Sequence, residues 1–308
     1  MSDGQAQPAL RPLRFGVVSE SVPVGAAWLD HARAIEDAGV DVLLLRDHFM
    51  AGSFGPQLAP LSALAAAAAA TTRLRVGTMV LCNDYRHPAL LAHEAATLHS
   101  ISGGRFELGL GAGRAWDQIA GLGGPRRTPR EAVDAVSEAI EVLHAMWLPG
   151  RLASLPGQHY PLAAQTGPAP AHRIGIWLGS IGPRMLDLAG RKADGWIAPL
   201  ATGYEAKPAA QDRIDAAARA AGRDPASIHR VIQLVGTVTG SAYTTSRPRS
   251  GSGGQPIRTS PEIWAKIITE FAAEQRFDTV NLLPEQATGD QLRRFATEVI
   301  PLVRAATP

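Results

Sequence analysis

Apolar residues along this chain fall into short unbroken runs separated by longer stretches of helical period. Residues 14–19, 41–45, 74–81, 105–110, 173–178, 194–198, 228–239 and 277–283 are apolar without alternation, which marks strands buried on both faces. The intervening segments carry a helical stripe. Trp28, Ala32, Ile35 and Ala38 share one face, and Gly39 ends that segment. Val133, Val136, Ile140 and Leu143 stripe a long helix over residues 128–147, opened by Pro129. The same reasoning predicts helices over residues 60–71, 88–99, 183–190, 208–221, 261–274 and 289–305.

Strands and helices in alternation predict an α/β fold with a parallel sheet. Eight such units in a chain of 308 residues match a (β/α)8 TIM barrel. A doubly wound open sheet is the competitor. The barrel is read as one domain over residues 13–308, behind a flexible tail of residues 1–12. Two stretches break the rhythm and are read as insertions. Residues 148–172, after the fourth helix, are rich in Pro, Gly and Ala; residues 244–255, after the seventh strand, are rich in Ser, Gly and Arg. Either could form a lid over the mouth of the barrel or a solvated loop.

The fourth strand runs into Gly109-Leu110-Gly111-Ala112-Gly113-Arg114. Glycines at every second position let backbone approach a flat or anionic ligand. A dinucleotide fingerprint is excluded. Trp116 or Arg114 stands where its third glycine belongs, and the strand is not the first of its unit.

Composition narrows the partners. Thirty basic against 28 acidic residues leave a net charge of +2, which gives no electrostatic case for nucleic acid or an anionic membrane. Cys82 is the only cysteine, which fits a reducing cytoplasm. The start of the chain lacks the pattern of a signal peptide. The longest apolar run, residues 61–70, is too short to span a bilayer. A soluble cytoplasmic protein is expected. No G-x-S-x-G elbow, zinc motif or P-loop occurs.

In a barrel, ligand groups sit on loops after the C-terminal ends of the strands. The second strand ends in Asp47-His48, an imidazole beside an acid, suited to proton transfer. The third is followed by Cys82 to His87, including Tyr85 and Arg86. Arg86 reads first as a surface ion-pairing residue, and Cys82 as packing. After the fifth comes Gly179-Ser180-Ile181-Gly182-Pro183, where free N–H groups at a helix start favour a phosphate.

Taken together, these segments resemble the bacterial-luciferase-like superfamily of flavin- and F420-dependent oxidoreductases. The resemblance rests on Arg46-Asp47-His48-Phe49, residues 71–78, Tyr85-Arg86-His87-Pro88, Ser102 to Gly113, and Ala193-Asp194-Gly195-Trp196. It implies catalytic roles for Asp47 and His48, with Asp47 tuning His48. It places a third-strand bulge, often with a non-proline cis peptide, at Gly77-Thr78-Met79-Val80, against the back of the cofactor ring. Gly77, Thr78, Met79, Gly111 and Gly113 are then cofactor-binding, with Gly179, Ser180, Ile181 and Gly182 on the phosphate. Arg114, Asp117 and Tyr85 are expected to face substrate or cofactor. Relatives mostly carry Trp or Glu at the position of Arg114.

The resemblance favours coenzyme F420, a deazaflavin that shuttles hydride to or from a small organic substrate. The alternative is FMN, whose reduced form traps dioxygen in a monooxygenase. A third reading is a flavin-binding barrel without activity. A flavin or F420 reductase as electron source and a homodimer follow from the same resemblance.

Overall fold

A computed structural model describes residues 11–19, 25–48, 57–113, 115–150, 152–167, 169–200, 202–240, 256–285 and 289–307. Its wall is a closed parallel barrel. The strands are β1 (Arg14–Val18), β2 (Val42–Leu45), β3 (Arg75–Thr78) with its continuation β4 (Leu81–Cys82), β5 (Phe106–Gly111), β8 (Ile176–Gly179), β9 (Gly195–Ile197), β10 (His229–Val238) and β12 (Thr279–Pro284). Each pairs with the next around the ring, and β12 closes it on β1, Arg14 opposite Thr279. The doubly wound alternative is thereby excluded. A short β11 (Ile257–Thr259) adds to β10 in parallel.

Side chains alternate between two compartments. Leu43 and Leu45 of β2 pack under the helices, whereas Val42 and Leu44 point into the lumen with Val18, Met79, Val231 and Leu283. Trp177 fills the N-terminal end of the lumen. Its ring stacks on His229 at 5.0 Å, and the Arg14 guanidinium lies 5.6 Å from its centroid. Glu107 accepts from Arg14 at 2.6 Å and from Arg75 at 2.5 Å beside it. That end is a packed plug, so a ligand must enter from the other.

The outer helices follow the predicted stripes. Helix α1 (Ala26–Asp37) buries Trp28, Ala32 and Ile35. Helix α2 (Pro60–Ala70) uses alanine to lie close against the wall, with Ala63, Ala67 and Ala68 buried. Glu36 at the end of α1 accepts the backbone N–H groups of Thr72, Arg73 and Leu74 and so fixes the turn into β3. Arg105 donates to the carbonyls of Ala68, Thr71 and Leu74, satisfying the end of α2. Helix α3 spans Pro88–Ile101. A short helix α4 (Trp116–Gly121) precedes α5 (Pro129–Met146), which opens with a Thr128/Glu131 capping box. Helices α6 (Pro183–Lys192), α7 (Lys207–Ala220) and α8 (Pro261–Gln275) complete the ring. The predicted closing helix splits into α9 (Gly289–Arg294), a π-turn over Phe295–Val299, and α10 (Ile300–Ala306). Pro301 has no N–H and its ring crowds the preceding turn, which the wider π-turn accommodates.

The insertion after α5 is not an irregular loop. It forms an antiparallel hairpin of β6 (Leu152–Leu155) and β7 (Leu162–Gln165). Glu138 of α5 accepts the N–H groups of Gln158, His159 and Tyr160 at its tip. The hairpin is therefore docked on α5 rather than poised over the mouth. The other expected insertion, residues 244–255, lies outside the described residues. No described helix is long and apolar enough to cross a membrane.

Burial makes the fold acid-sensitive. His99 is 3% exposed, and burial together with nearby Arg75 and His172 holds its pKa below the usual imidazole value. Burial lowers His31 as well. Both are neutral in the folded chain where the unfolded chain begins to protonate, at about pH 6.5. The unfolded state then binds more protons, so stability is full above that pH and falls as the pH drops through it. Urea denaturation at pH 7.5 and 5.5 should give a lower midpoint at 5.5, and His99→Gln should narrow the gap. A midpoint that rises on acidification would contradict this assignment.

Candidate active site

The C-terminal mouth is built around an irregularity in the wall. Between β3 and β4 the ladder breaks, and the Met79–Val80 peptide is cis, within the stretch where the resemblance sets the bulge. Thr78 bridges the break. Its hydroxyl donates to the Gly109 carbonyl at 2.8 Å and accepts the Gly109 N–H at 2.9 Å. Met79 turns down into the lumen, where Asn281 donates to its sulfur at 3.2 Å. Val80 remains half-buried at the mouth.

The glycines of β5 exist for this bulge. A Cβ on Gly109 would lie 2.0 Å from the Thr78 carbonyl oxygen and 3.2 Å from Val80. One on Gly111 would lie 2.7 Å from Val80 Cγ2, and one on Gly179 3.2 Å from both Val80 methyls. Three glycines on two neighbouring strands thus clear the volume that Val80 occupies. Gly113, at φ +76°, sits where a Cβ would be 3.0 Å from both Cys82 Sγ and Ile119 Cδ1. Gly111 and Gly113 are expected from the resemblance to bind the cofactor, and in the structure the space beside each is taken by protein atoms. They make room for the wall on which a ligand would rest. The side chain of Thr78 is likewise committed to Gly109, and Gly77 lies lower, against Leu44 and Glu107.

Strand β2 delivers the acid–histidine pair. Asp47 is buried and His48 exposed. Both carboxylate oxygens of Asp47 are held by Arg86, through 2.8 Å and 3.1 Å bonds, and the Cys82 N–H donates to Oδ2 at 3.0 Å. Asp47 is therefore a bound, ion-paired carboxylate. Arg86 is 17% exposed, so the surface reading of this residue is wrong. The bulge carries Cys82 to Arg86 across the end of β2, which a linear pattern cannot show. Burial works to lower the Arg86 pKa, but the bond and charge of Asp47 prevail and raise it. Burial lifts the Cys82 thiol to about 11, which leaves it an inert packing group at neutral pH.

The short turn Asn83–Tyr85 forms the next part of the rim. Tyr85 is half-buried there, its phenol pushed up by burial and by Cys82 and Asp47. Asp84 points away, accepting from Arg127 at 3.0 Å and from the Tyr160 hydroxyl of the hairpin at 3.0 Å. His87 is a capping residue: its Nδ1 accepts the Ala89 N–H at the start of α3. Tyr160 and Arg127 stand in a hairpin and a loop, where no sequence pattern marks them.

Asp117 is expected from the resemblance to face substrate or cofactor. Its side chain is 89% exposed and paired with Arg126 at 2.7 Å. The inward position of α4 is Ile119, fully buried, which turns Asp117 to solvent. Arg114 lies outside the described residues. At the fifth-strand end, Ser180 is buried, its carbonyl accepting the Trp196 indole N–H at 3.0 Å. Ile181 is exposed and a Cβ on Gly182 would meet nothing within 4 Å. Helix α6 opens there without a side-chain cap, leaving its first N–H groups for a ligand.

A closed parallel barrel with a plugged base and a bulged, glycine-backed mouth defines a luciferase-type barrel. The chain belongs to the luciferase-like monooxygenase family, whose model matches residues 13–242. An F420-dependent glucose-6-phosphate dehydrogenase from Nakamurella multipartita is 33% identical over 219 residues, covering 68% of this chain and 64% of the relative. An F420-dependent hydroxymycolic acid dehydrogenase from Mycobacterium tuberculosis is 33% identical over 212 residues, covering 68% of this chain and 58% of that protein. The chain thus spans less than two thirds of the length of these relatives. Among solved structures, an F420-dependent secondary alcohol dehydrogenase with a bound F420–acetone adduct superimposes with a TM-score of 0.81 at 19% identity, covering 95% of this chain and 99% of that one. A long-chain alkane monooxygenase gives 0.80 at 15% identity, covering 96% and 92%. Both likenesses speak to the fold.

Proposed function

We propose that the chain is an F420-dependent oxidoreductase that exchanges hydride with a small organic substrate at the C-terminal mouth. The observation that carries this reading is the Val80 bulge, backed by Gly109, Gly111 and Gly179 and set beside Asp47-His48. Such a wall suits a flat ring, and the open, uncapped start of α6 at Gly182 suits a phosphate. The F420-dependent names of the relatives support the choice of cofactor.

Bound F420 supplies a carbon centre that exchanges hydride and reacts poorly with dioxygen. The chain's own residues do the rest. Val80, Met79 and the glycines behind them support the ring. Gly179 to Gly182 and the N–H groups opening α6 hold the phosphate. Oxidation of an alcohol releases a proton with each hydride, and the exposed His48 imidazole takes it; in reverse, His48 returns it. Tyr85 stands on the substrate side. A flavin or F420 reductase renews the cofactor, and the working unit is a cytoplasmic homodimer.

The second reading is an FMN monooxygenase, favoured by the family's own description. Titrating the purified protein with F420 and with FMN, under air and under nitrogen, separates the two. Fluorescence quenching with F420 and oxygen-independent turnover is the expected result. Tight FMN binding with oxygen consumption would replace this reading with the second. Binding without turnover from any electron source would identify a silent cofactor-binding barrel.

A further inference from the structure

We infer that Arg86 is a positioning residue. It holds Asp47 as a clamp between the strand that carries His48 and the strand that carries the Val80 bulge. The inference rests on the proposed oxidoreductase reading for its catalytic consequence, but the clamp itself stands on geometry. Asp47 directly precedes His48 in the chain. Its Oδ2 accepts the N–H of Cys82, two residues beyond Val80. Arg86 closes the arrangement from the third side with two parallel bonds, 2.8 Å to Oδ2 and 3.1 Å to Oδ1. One carboxylate therefore ties the end of β2 to the end of β4, across the place where the ladder between β3 and β4 is interrupted.

This junction needs such a tie. The register of β2 with β3 ends at Leu45 opposite Thr78. β4 pairs with β5, Leu81 opposite Leu110, and not with β2. Past Thr78, the Met79 N–H still reaches the Leu45 carbonyl at 2.8 Å. The Asp47 side chain then takes the place of a ladder rung at Cys82. A planar guanidinium presents two donors in a fixed fork, so it fixes the carboxylate's plane as well as its charge. A lysine in its place would supply charge without the plane. The height of His48 above the Val80 wall then depends on a residue that need touch neither substrate nor cofactor.

The rim is braced from the other side as well. Asp84, two residues after Cys82, is held by Arg127 and Tyr160. The turn between the two aspartate anchors can thus shift little unless one of them lets go.

The test uses Arg86→Lys, Arg86→Met and the double variant Asp47→Leu/Arg86→Met in the full chain. In the protein without added cofactor, exchange of the Cys82 amide hydrogen should quicken about tenfold in Arg86→Met, because its acceptor is no longer fixed. The Leu108 amide in β5 should be unaffected. The pH titration of the His48 ring, followed by NMR, should shift in the same variant. Removing both charged groups avoids a stranded buried carboxylate, so the double variant should recover thermal stability if Arg86→Met loses it. It should not recover kcat with F420, and KM should move less than kcat. Arg86→Lys should fall between Arg86→Met and the parent on all readouts.

Cys82 exchange and His48 titration identical to the parent in Arg86→Met would overturn the clamp. So would full recovery of kcat in the double variant, since that is the outcome of a purely structural ion pair. Failure of the parent to bind F420 or FMN would remove the functional reading alone. The exchange and NMR readouts would still decide the clamp.

Discussion

Gly109→Ala should destabilise the chain by about 3 kcal/mol or more and abolish cofactor affinity with it. The added methyl would lie 2.0 Å from the Thr78 carbonyl oxygen and 3.0 Å from the carbonyl carbon. Both are backbone atoms, so no side-chain rotation relieves the clash. Moving Thr78 away would break its two hydroxyl bonds to the Gly109 backbone, at 2.8 Å and 2.9 Å. It would also drag the Met79–Val80 peptide that follows. Gly111→Ala should be milder in stability, because its nearest obstacle is the Val80 Cγ2 methyl at 2.7 Å, which can swing. That swing pushes Val80 into the mouth, so affinity should fall even where stability survives. Gly121→Ala is the control, since a Cβ there meets nothing within 4 Å. Urea denaturation and cofactor titration of the three variants give the order. A Gly109→Ala midpoint equal to that of Gly121→Ala would show that the bulge is not held as described.

This glycine set shows where sequence reading succeeds and where it stops. Period and run length identified the eight-strand wall, because burial on both faces leaves an unbroken apolar signature. The alternating glycines were visible too, and their spacing on one face of a strand is a local property. What they clear is not local. Val80 reaches them from a neighbouring strand 29 to 31 residues earlier in the chain for Gly109 and Gly111, roughly a βαβ repeat. No periodicity encodes that contact.

Arg86 makes the same point with charge. Beside Tyr85 and His87, before a helix-starting proline, it has the setting of a surface residue. Its partner Asp47 is 39 positions away, and only the barrel ring brings them together. Asp117 shows the same limit from the other direction. It is close in sequence to the glycine loop, yet one helical turn decides which side faces inward, and Ile119 takes it. The hairpin at β6–β7 escaped because its strands are partly exposed, with Leu152 73% exposed, and so lack the buried pattern that marks the barrel strands.

His48→Ala should leave cofactor affinity within about twofold and lower kcat by roughly 10²- to 10⁴-fold, the range removed with a general acid–base. Three features lead to that expectation. His48 is exposed at the mouth, where Asp47 is buried. Asp47 is committed to Arg86 and the Cys82 N–H, so it cannot replace the lost imidazole as a base. Cys82 cannot replace it either, with its thiol lifted to about 11. Among the histidines of the rim, His87 supplies the contrast. Its Nδ1 accepts the Ala89 N–H at 3.2 Å and its ring meets Tyr160 edge-on at 5.5 Å. His87→Asn preserves an acceptor at that cap and should retain parental turnover. Steady-state kinetics with F420, together with fluorescence titration of the cofactor, measure both variants. Parental kcat in His48→Ala would remove His48 from the chemistry. A loss in His87→Asn equal to that in His48→Ala would mean that rim geometry, and not one proton-carrying group, limits the reaction.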